Sequence, residues 1–241
     1  RYFRQARTAC IDSILIQSVD RYRFLFKPSS IPVFYVQNAP SFSRMEHPQP
    51  VRPFQKKLIF FGNVMASHGL FSCLEATEAI CRTDRDYTLT IKGVIPKAWV
   101  RWTISRRYGK LIENGQIILD TGYTPQEQIV SYLSSFDIGF CLYDFRLIGK
   151  NDFNYLSVPS GKLFNFYAAG VPVVGMDIPG LDSIRTFHTG CLIRNLRIET
   201  LRTAVLDIAT HFDPYRQNCF RAAEHFDFEK ALTPFKVFLQ T

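Results

Sequence analysis

The chain has 241 residues, of which 46% are hydrophobic and 15% aromatic, enough apolar material for one large or two small globular domains. No apolar run approaches the ~18 residues that span a bilayer, and the opening Arg1-Tyr2-Phe3-Arg4-Gln5 has neither an initiator Met nor a signal-peptide core, so the expectation is a cytoplasmic protein that begins part-way through a longer one. A net charge of +8 favours an anionic partner without choosing among a nucleotide diphosphate, a nucleic acid and an acidic membrane surface.

In chain order, a helical pattern runs to about Cys10, then a short strand at Ile14-Leu15-Ile16-Gln17, a helix through Tyr22 to Phe26, and a strand at Val33-Phe34-Tyr35-Val36 closed by the turn signal Asn38-Ala39-Pro40. From Pro40 to Lys57, prolines at 40, 48, 50 and 53 replace apolar periodicity, which reads as a linker. Beyond it, strands and helices alternate. Strands are expected at 58–61, 87–92, 116–119, 137–143, 171–175 and 190–193, and helices at 70–80, 97–112, 125–134 and 159–169, the last closed by Gly170. From Ile198 onward two or three helices follow with no strand between them. Short apolar runs alternating with longer helices predict an α/β domain: a doubly wound, Rossmann-like parallel sheet with helices on both faces.

The six cysteines, at 10, 73, 81, 141, 191 and 219, have no CxxC spacing and no clustered histidines. Neither a zinc site nor a thioredoxin-like motif is supported, and buried reduced thiols are expected.

In an open parallel sheet, ligands meet the loops at the carboxyl ends of the strands. Four such turns stand out: Gly62-Asn63 through Gly69, including His68; Gly93; Gly122-Tyr123-Thr124; and the long loop from Asp144 to Gly161 that runs into the helix at Lys162. The last ends in Pro159-Ser160-Gly161, and small residues at a helix N-terminus expose backbone amides that suit a phosphate, with Lys162 adding a point charge. An ordinary capped helix with a surface lysine is an equally good reading of those residues by themselves.

The segment Pro159-Ser160-Gly161-Lys162-Leu163-Phe164-Asn165-Phe166-Tyr167-Ala168-Ala169-Gly170-Val171-Pro172-Val173-Val174 resembles the Pro-x-Lys-Leu-x-Glu-Tyr-x-Ala-x-Gly-x-Pro-Val-Val segment of GT-B glycosyltransferases of the group 1 (family 4-like) kind. The resemblance extends outward in order. Residues 57–69 are similar to the first strand and glycine turn of that family's C-terminal domain, 89–93 to its second strand, 117–134 with Phe136-Asp137-Ile138-Gly139 to its Gly-Tyr-x-Pro, helix and Ala-Asp-Ile-Gly run, and 177–190 to the glycine loop that follows. Residues 13–39 are similar to the end of the N-terminal domain.

The resemblance implies residues 1–40 as the remnant of an N-terminal acceptor domain otherwise missing, 41–56 as a linker, and 57–241 as a domain that binds a nucleotide-diphosphate sugar. It implies Gly122 and Tyr123 along the nucleobase, the amides of Ser160, Gly161 and Lys162 at the diphosphate, and Asn165 at the ribose. Asn165 stands where many members carry a glutamate, and it bonds a hydroxyl without the charge assistance of a carboxylate. A pair of glutamates common in retaining members falls here on Ser157 and Asn165 and is absent. The basic pair that commonly grips the diphosphate is replaced around Asn63 and His68, so Lys150, Lys162 or Arg146 become candidates to compensate.

The expected activity is hexosyl transfer, in polysaccharide biosynthesis, to a glycan or lipid-linked acceptor, with no metal and no cofactor beyond the donor, and no residue assigned as catalytic. The rivals are a nucleotide-sugar-binding module inactive by itself and a nucleotide-sugar epimerase of related architecture. A nucleic-acid partner is not expected, because the basic residues are spread over both faces. Among single residues, His68 reads as capping or structural and not as a base, and Asp144 and Asp152 as solvated loop carboxylates. Lys97, Arg101, Arg106, Arg107 and Lys110, interleaved with Trp99, Trp102 and Tyr108, read as a solvated face over an aromatic stripe, with peripheral adhesion to acidic lipids on the inner face of the membrane as the sharper alternative.

Overall fold

The computed structural model describes residues 11–26, 30–41, 52–149, 152–157 and 160–240. The helix expected up to Cys10, most of the linker, Lys150 and Pro159 lie outside them. The first described segment is β1 (Ile14–Ile16), α1 (Val19–Leu25) and β2 (Val33–Tyr35), a parallel strand pair with its own crossover helix. Ser18 caps α1 by accepting from the Arg21 amide at 3.2 Å.

The larger sheet is built from β3 (Lys57–Phe61), β4 (Thr88–Lys92), β5 (Ile117–Asp120), β6 (Ile138–Cys141), β7 (Val173–Met176) and β8 (Gly190–Ile193), all parallel, in the order β5-β4-β3-β6-β7-β8. The apolar runs read from the sequence are these strands. Every residue of β6 and β7 is buried, as expected for strands covered on both faces. The covering helices are α2 (Leu70–Cys81), α3 (Ala98–Glu113) and α4 (Ile129–Leu133), then the short α5 (Phe145–Ile148) and α6 (Phe153–Ser157). They are followed by α7 (Gly161–Ala168), α8 (Ser183–Thr186), α9 (Ile198–Thr210), α10 (Phe212–His225) and α11 (Phe228–Phe238). α2 packs with α9, and α7 with α10 and α4. Right-handed crossovers place α2 and α7 on opposite faces, because the chain winds outward from β3 in one direction and from β6 in the other.

Local chemistry explains why α7 is short and well placed. Gly170 takes a left-handed φ of 65°, its N–H bonds the Tyr167 carbonyl at 3.0 Å, and the Val171 N–H returns to the Phe166 carbonyl at 2.9 Å, the paired bonds of a glycine-closed helix end. A Cβ on Gly170 would lie 2.1 Å from the Phe220 ring, so the same glycine lets α10 close on α7. At the other contact, Phe166 sits on Gly139 of β6, where an added Cβ would meet its ring at 2.7 Å.

The two central strands pair only at Leu58 with Ile138 and Ile59 with Gly139. Their amino ends are tied by Asp137, which is fully buried. Its carboxylate accepts from the Lys57 amide at 2.7 Å and the Gln55 amide at 2.9 Å, and it pairs with Arg52 at 2.5 Å, while its own N–H donates to the Lys57 carbonyl at 2.7 Å. The end of the expected linker is thus an extended strap clamped to β6.

The structure revises four expectations. The loop 144–161 contains α5 and α6. The helix expected at 125–134 is a 3-10 turn at Gln126–Gln128 followed by α4. A short 3-10 turn at Pro179–Leu181 and α8 occupy the segment read as a glycine loop. Asp144 is buried, because it caps α5 through the Arg146 amide at 3.0 Å and pairs with the Arg146 guanidinium at 2.7 Å. Of the described cysteines, Cys73, Cys81, Cys141 and Cys219 are buried and free, and Cys191 is half-buried and free. Among the described residues no helix is long and apolar enough to cross a membrane.

Removing the clamp leaves a mostly buried guanidinium and two strap amides without their acceptor. Asp137→Ala is expected to lower stability by about 3 kcal/mol, read as a drop in urea midpoint at unchanged m-value. A shift no larger than that of a surface substitution would show that the strap is held by its apolar contacts.

Candidate functional site

The strand order reverses between β3 and β6, and past Ile59 and Gly139 these strands no longer pair, which makes their carboxyl ends the switch point of the sheet, where doubly wound folds hold ligands in a crevice. The turn after β3 and the run Leu142-Tyr143-Asp144 flank it and meet where the Asp144 N–H donates to the Ser67 carbonyl at 2.7 Å. α7 points its first turn at this crevice.

Lys162 stands in that turn with its ammonium over the Phe60 ring at 5.6 Å and the Tyr143 ring at 5.8 Å. Burial holds its pKa below the ordinary lysine value. No carboxylate among the described residues lies within ion-pair distance of it. The amides of Gly161 and Lys162 belong to the first helical turn, which has no acceptor of its own to offer them.

His68 faces the same spot. Its ring meets Tyr143 edge-on at 5.7 Å and Tyr155 at 6.1 Å, and its Nδ1 lies 3.0 Å from the Asn63 carbonyl. A carbonyl only accepts, so Nδ1 carries the proton and Nε2 holds the lone pair. Burial first, then the Lys162 charge, lower its pKa, with the Asn63 bond opposing. The imidazole is therefore neutral at neutral pH, and its geometry is that of a wall residue of the crevice.

Next to the crevice is a cleft of about 1010 Å³. Asn38 to Ser41 form one wall, Tyr123, Thr124 and Gln126 another, Gly161 and Asn165 of α7 the floor, and Phe228 with Glu229 of α11 the end. α7 thus serves two spaces: Gly161 and Asn165 line the cleft, and Lys162 borders the crevice. The described residues of the first segment are held by Ser18 Oγ donating to the Ser157 carbonyl at 3.0 Å, Phe24 stacked on Phe153, and Phe34 against Phe235 and Phe238.

No family model matches the chain, and no curated protein matches it in sequence. Solved structures do match in fold. The pneumococcal O-GlcNAc transferase GtfA, in complex with UDP and GlcNAc, aligns with 95% of this chain and 45% of its own at a TM-score of 0.64 and 12% identity. A variant of S. aureus TarM in complex with fondaparinux, alpha-GlcNAc-glycerol and UDP aligns with 95% of this chain and 44% of its own at 0.69 and 15%. The C-terminal domain of the group 1 family glycosyl transferase LpcC from Francisella tularensis aligns with 78% of this chain and 94% of its own at 0.56 and 13%. The fold is that of the C-terminal half of GT-B glycosyltransferases. The chain spans under half the length of GtfA and TarM.

Within this fold, the residues expected from the sequence fall into three groups. Tyr123, Gly161 and Asn165 line the cleft. Asn63, His68 and Lys162 surround the crevice, together with Ser160, the N-cap residue of α7. Gly62 and Gly93 face each other: the Gly62 N–H bonds the Lys92 carbonyl at 2.9 Å, and a Cβ on Gly93 would lie 1.9 Å from the Gly62 carbonyl oxygen. Gly93 is a packing residue between two strand ends. Arg146, a candidate diphosphate partner by sequence, is engaged by Asp144. Ser157 is buried with its hydroxyl bonded back to the Phe153 carbonyl at 2.7 Å.

Sequence reasoning missed what holds the Gly122-Tyr123 turn. Buried Lys92, at the end of β4, donates to Asp120 Oδ1 and to the Gly122 carbonyl, each at 2.8 Å, and sits 4.9 Å over the Tyr132 ring. Asp120 in turn accepts from the Gly122 amide at 3.0 Å and the Tyr132 hydroxyl at 2.9 Å. Tyr123, 89% exposed, is thereby presented from a rigid base. The signal was a lysine inside a strand pattern, which needs a buried partner.

Burial pushes the Asp120 pKa up, but its bonds to Lys92, Tyr132 and Gly122 outweigh that and hold it below the usual carboxylate value. A depressed folded-state pKa contributes stability above the unfolded value and loses it as pH falls through the folded one. The urea midpoint of the wild type over Asp120→Asn is therefore expected to be constant above pH ~5 and to shrink below pH ~4. Lys92→Met is expected to speed amide exchange across residues 121–124 while leaving β3 protected. Unchanged exchange would show that the turn holds itself.

Proposed function

We propose that the chain is the donor-binding half of a glycosyltransferase that takes a nucleotide-diphosphate sugar and delivers the sugar to a glycan or lipid-linked acceptor. In this reading residues 1–40 belong to the acceptor half and 57–241 form the donor domain, joined by 41–56. The observation that carries it is Lys162: a cation with no carboxylate beside it among the described residues, partly stripped of water, next to unspent amides at a helix start on the switch point of a parallel sheet. A buried ammonium is costly until an anion meets it, and a diphosphate supplies that charge.

The nucleoside would lie along the cleft, with the Tyr123 ring available to the base and the Asn165 side chain to the ribose hydroxyls. The amides of Gly161 and Lys162 and the Lys162 ammonium would hold the diphosphate and stabilise its charge as the sugar departs, acting as preorganised donors without a metal ion. The neutral His68 leaves the electrostatic work at the phosphates to Lys162. One observation favours a second reading. Ser157 and Asn165 offer no carboxylate, and the Ser157 hydroxyl is committed to its own helix, which suits a module that holds the donor without turning it over.

Calorimetric titration of the chain with a panel of nucleoside diphosphates tests the donor site, with UDP first because GtfA and TarM hold it in their structures. At least one should bind. Lys162→Met should weaken it by more than about ten-fold, since a charge-assisted bond contributes about 1.5–3 kcal/mol, and Lys162→Glu, which adds repulsion, by more still. Binding by none of the panel, or unchanged affinity in Lys162→Glu, would sink the proposal. Product analysis with nucleotide sugars then separates transferase from binding module and epimerase.

A further inference from the structure

α3 begins on the carboxyl-end rim of the sheet, the rim that carries the crevice, because β4 ends at Lys92 and the loop 93–97 leads directly into it. That loop is packed beside the turn after β3, with the Val64 N–H bonded to the Val94 carbonyl at 3.1 Å. Val100, Ile104 and Tyr108 turn inward at every fourth position. The outward stripe therefore begins with Trp99, Trp102 and Arg106, flanked by Lys97 and Arg101.

Two features set this stripe apart from an ordinary solvated face. It exposes large apolar groups together: Trp99 is 54% exposed, Trp102 60% and Val94 68%. It is also acid-free for most of its length, since the first acidic residue after Gly93 is Glu113 in the last turn of α3. The aromatic groups are braced, with Trp99 stacked on Phe71 at 5.8 Å and the Arg106 guanidinium over the Trp102 ring at 5.0 Å. Arg107, on the flank, is taken by Glu75 of α2 at 2.9 Å and does not count toward the free charge.

We propose that this face docks on an acidic phospholipid bilayer, with Trp99, Trp102 and Val94 entering the headgroup layer and Lys97, Arg101 and Arg106 meeting lipid phosphates. Braced indoles and basic side chains on one helix face match an interface that is apolar on one side and anionic on the other. A nucleic acid would call for cations along a groove, whereas here they ring an apolar centre. The proposal is independent of the donor reading. Its geometric consequence is that the rim holding the crevice faces the bilayer.

The chain contains only two tryptophans, both on this face, so their fluorescence reports on it alone. Vesicles of phosphatidylcholine with phosphatidylglycerol should shift the emission to the blue and carry the chain down on sedimentation, and pure phosphatidylcholine should do neither. Arg101→Glu with Arg106→Glu should weaken partitioning by more than about ten-fold. Trp99→Ser with Trp102→Ser should weaken sedimentation comparably at an unchanged thermal midpoint, which separates docking from misfolding. Three results would overturn the proposal: sedimentation without a blue shift, a blue shift that follows protein concentration in the absence of lipid, and a shift of equal size with single-stranded nucleic acid.

Discussion

The carboxylate of Asp137 fixes the relation between the two halves of the sheet. It stands just before β6 and takes the amide that begins β3, so the amino ends of the two central strands are bound by one buried side chain and its backbone. After two paired residues the strands separate. A tie at one end and divergence at the other is what a doubly wound sheet needs to make a crevice, because the helices that follow β3 and β6 leave on opposite faces. Arg52 completes the tie by neutralising the carboxylate and bonding the Phe136 carbonyl at 2.6 Å. The strap thereby brings the chain from the first segment to the correct end of the sheet.

From that tie the position of α7 follows. Gly139 is one residue beyond the Ile138 pairing, and the Phe166 ring fills the space its missing side chain leaves. The turn closed by Gly170 fixes the same C-terminal half of the helix. With that half held, the first turn lies toward the divergence of β3 and β6, and Lys162 stands over Phe60 and Tyr143. Folding thus places a cation where the surrounding rings desolvate it and no carboxylate among the described residues relieves it. Such an arrangement costs stability, and costs of this kind collect at sites that gain their missing partner from a ligand.

Much of this was legible in the sequence because it depends on local pattern. The strands announce themselves as apolar runs, and the Ala-Ala-Gly-Val-Pro-Val-Val passage contains the helix stop and the next strand within one reading frame. Tyr123 and Gly161 stand out in the sequence because one follows a strand and the other opens a helix, and Asn165 through the resemblance alone; all three line the cleft. What was not legible depends on contacts between distant segments. By sequence Asp144 is a solvated loop carboxylate and Arg146 a candidate diphosphate partner, and only the four-residue α5, too short to show periodicity, joins them. Glycine after a strand, as at Gly93, has two physical uses, close approach of a ligand and close approach of backbone, and the sequence does not choose between them. The Gly62 carbonyl supplies the second. The Lys92 and Asp120 network spans two strands and a turn, and no spacing rule links its members.

The charges of the chain also sort by role once their partners are known. Arg52, Lys56, Lys92 and Arg185 are spent on aspartates and serve the fold. Lys162 and the cations at the start of α3 have no such partner among the described residues, and both lie toward the same rim of the sheet. A protein that needed net charge only for solubility would gain nothing from stacking one of these cations on indole and enclosing another in aromatic rings. Aromatic support holds a cation in place without neutralising it, which keeps its field available to an anion arriving from outside. The crevice and the α3 face use this one device at two scales. The enclosed lysine suits a small polyphosphate that can enter, and the open stripe suits an extended anionic surface that cannot.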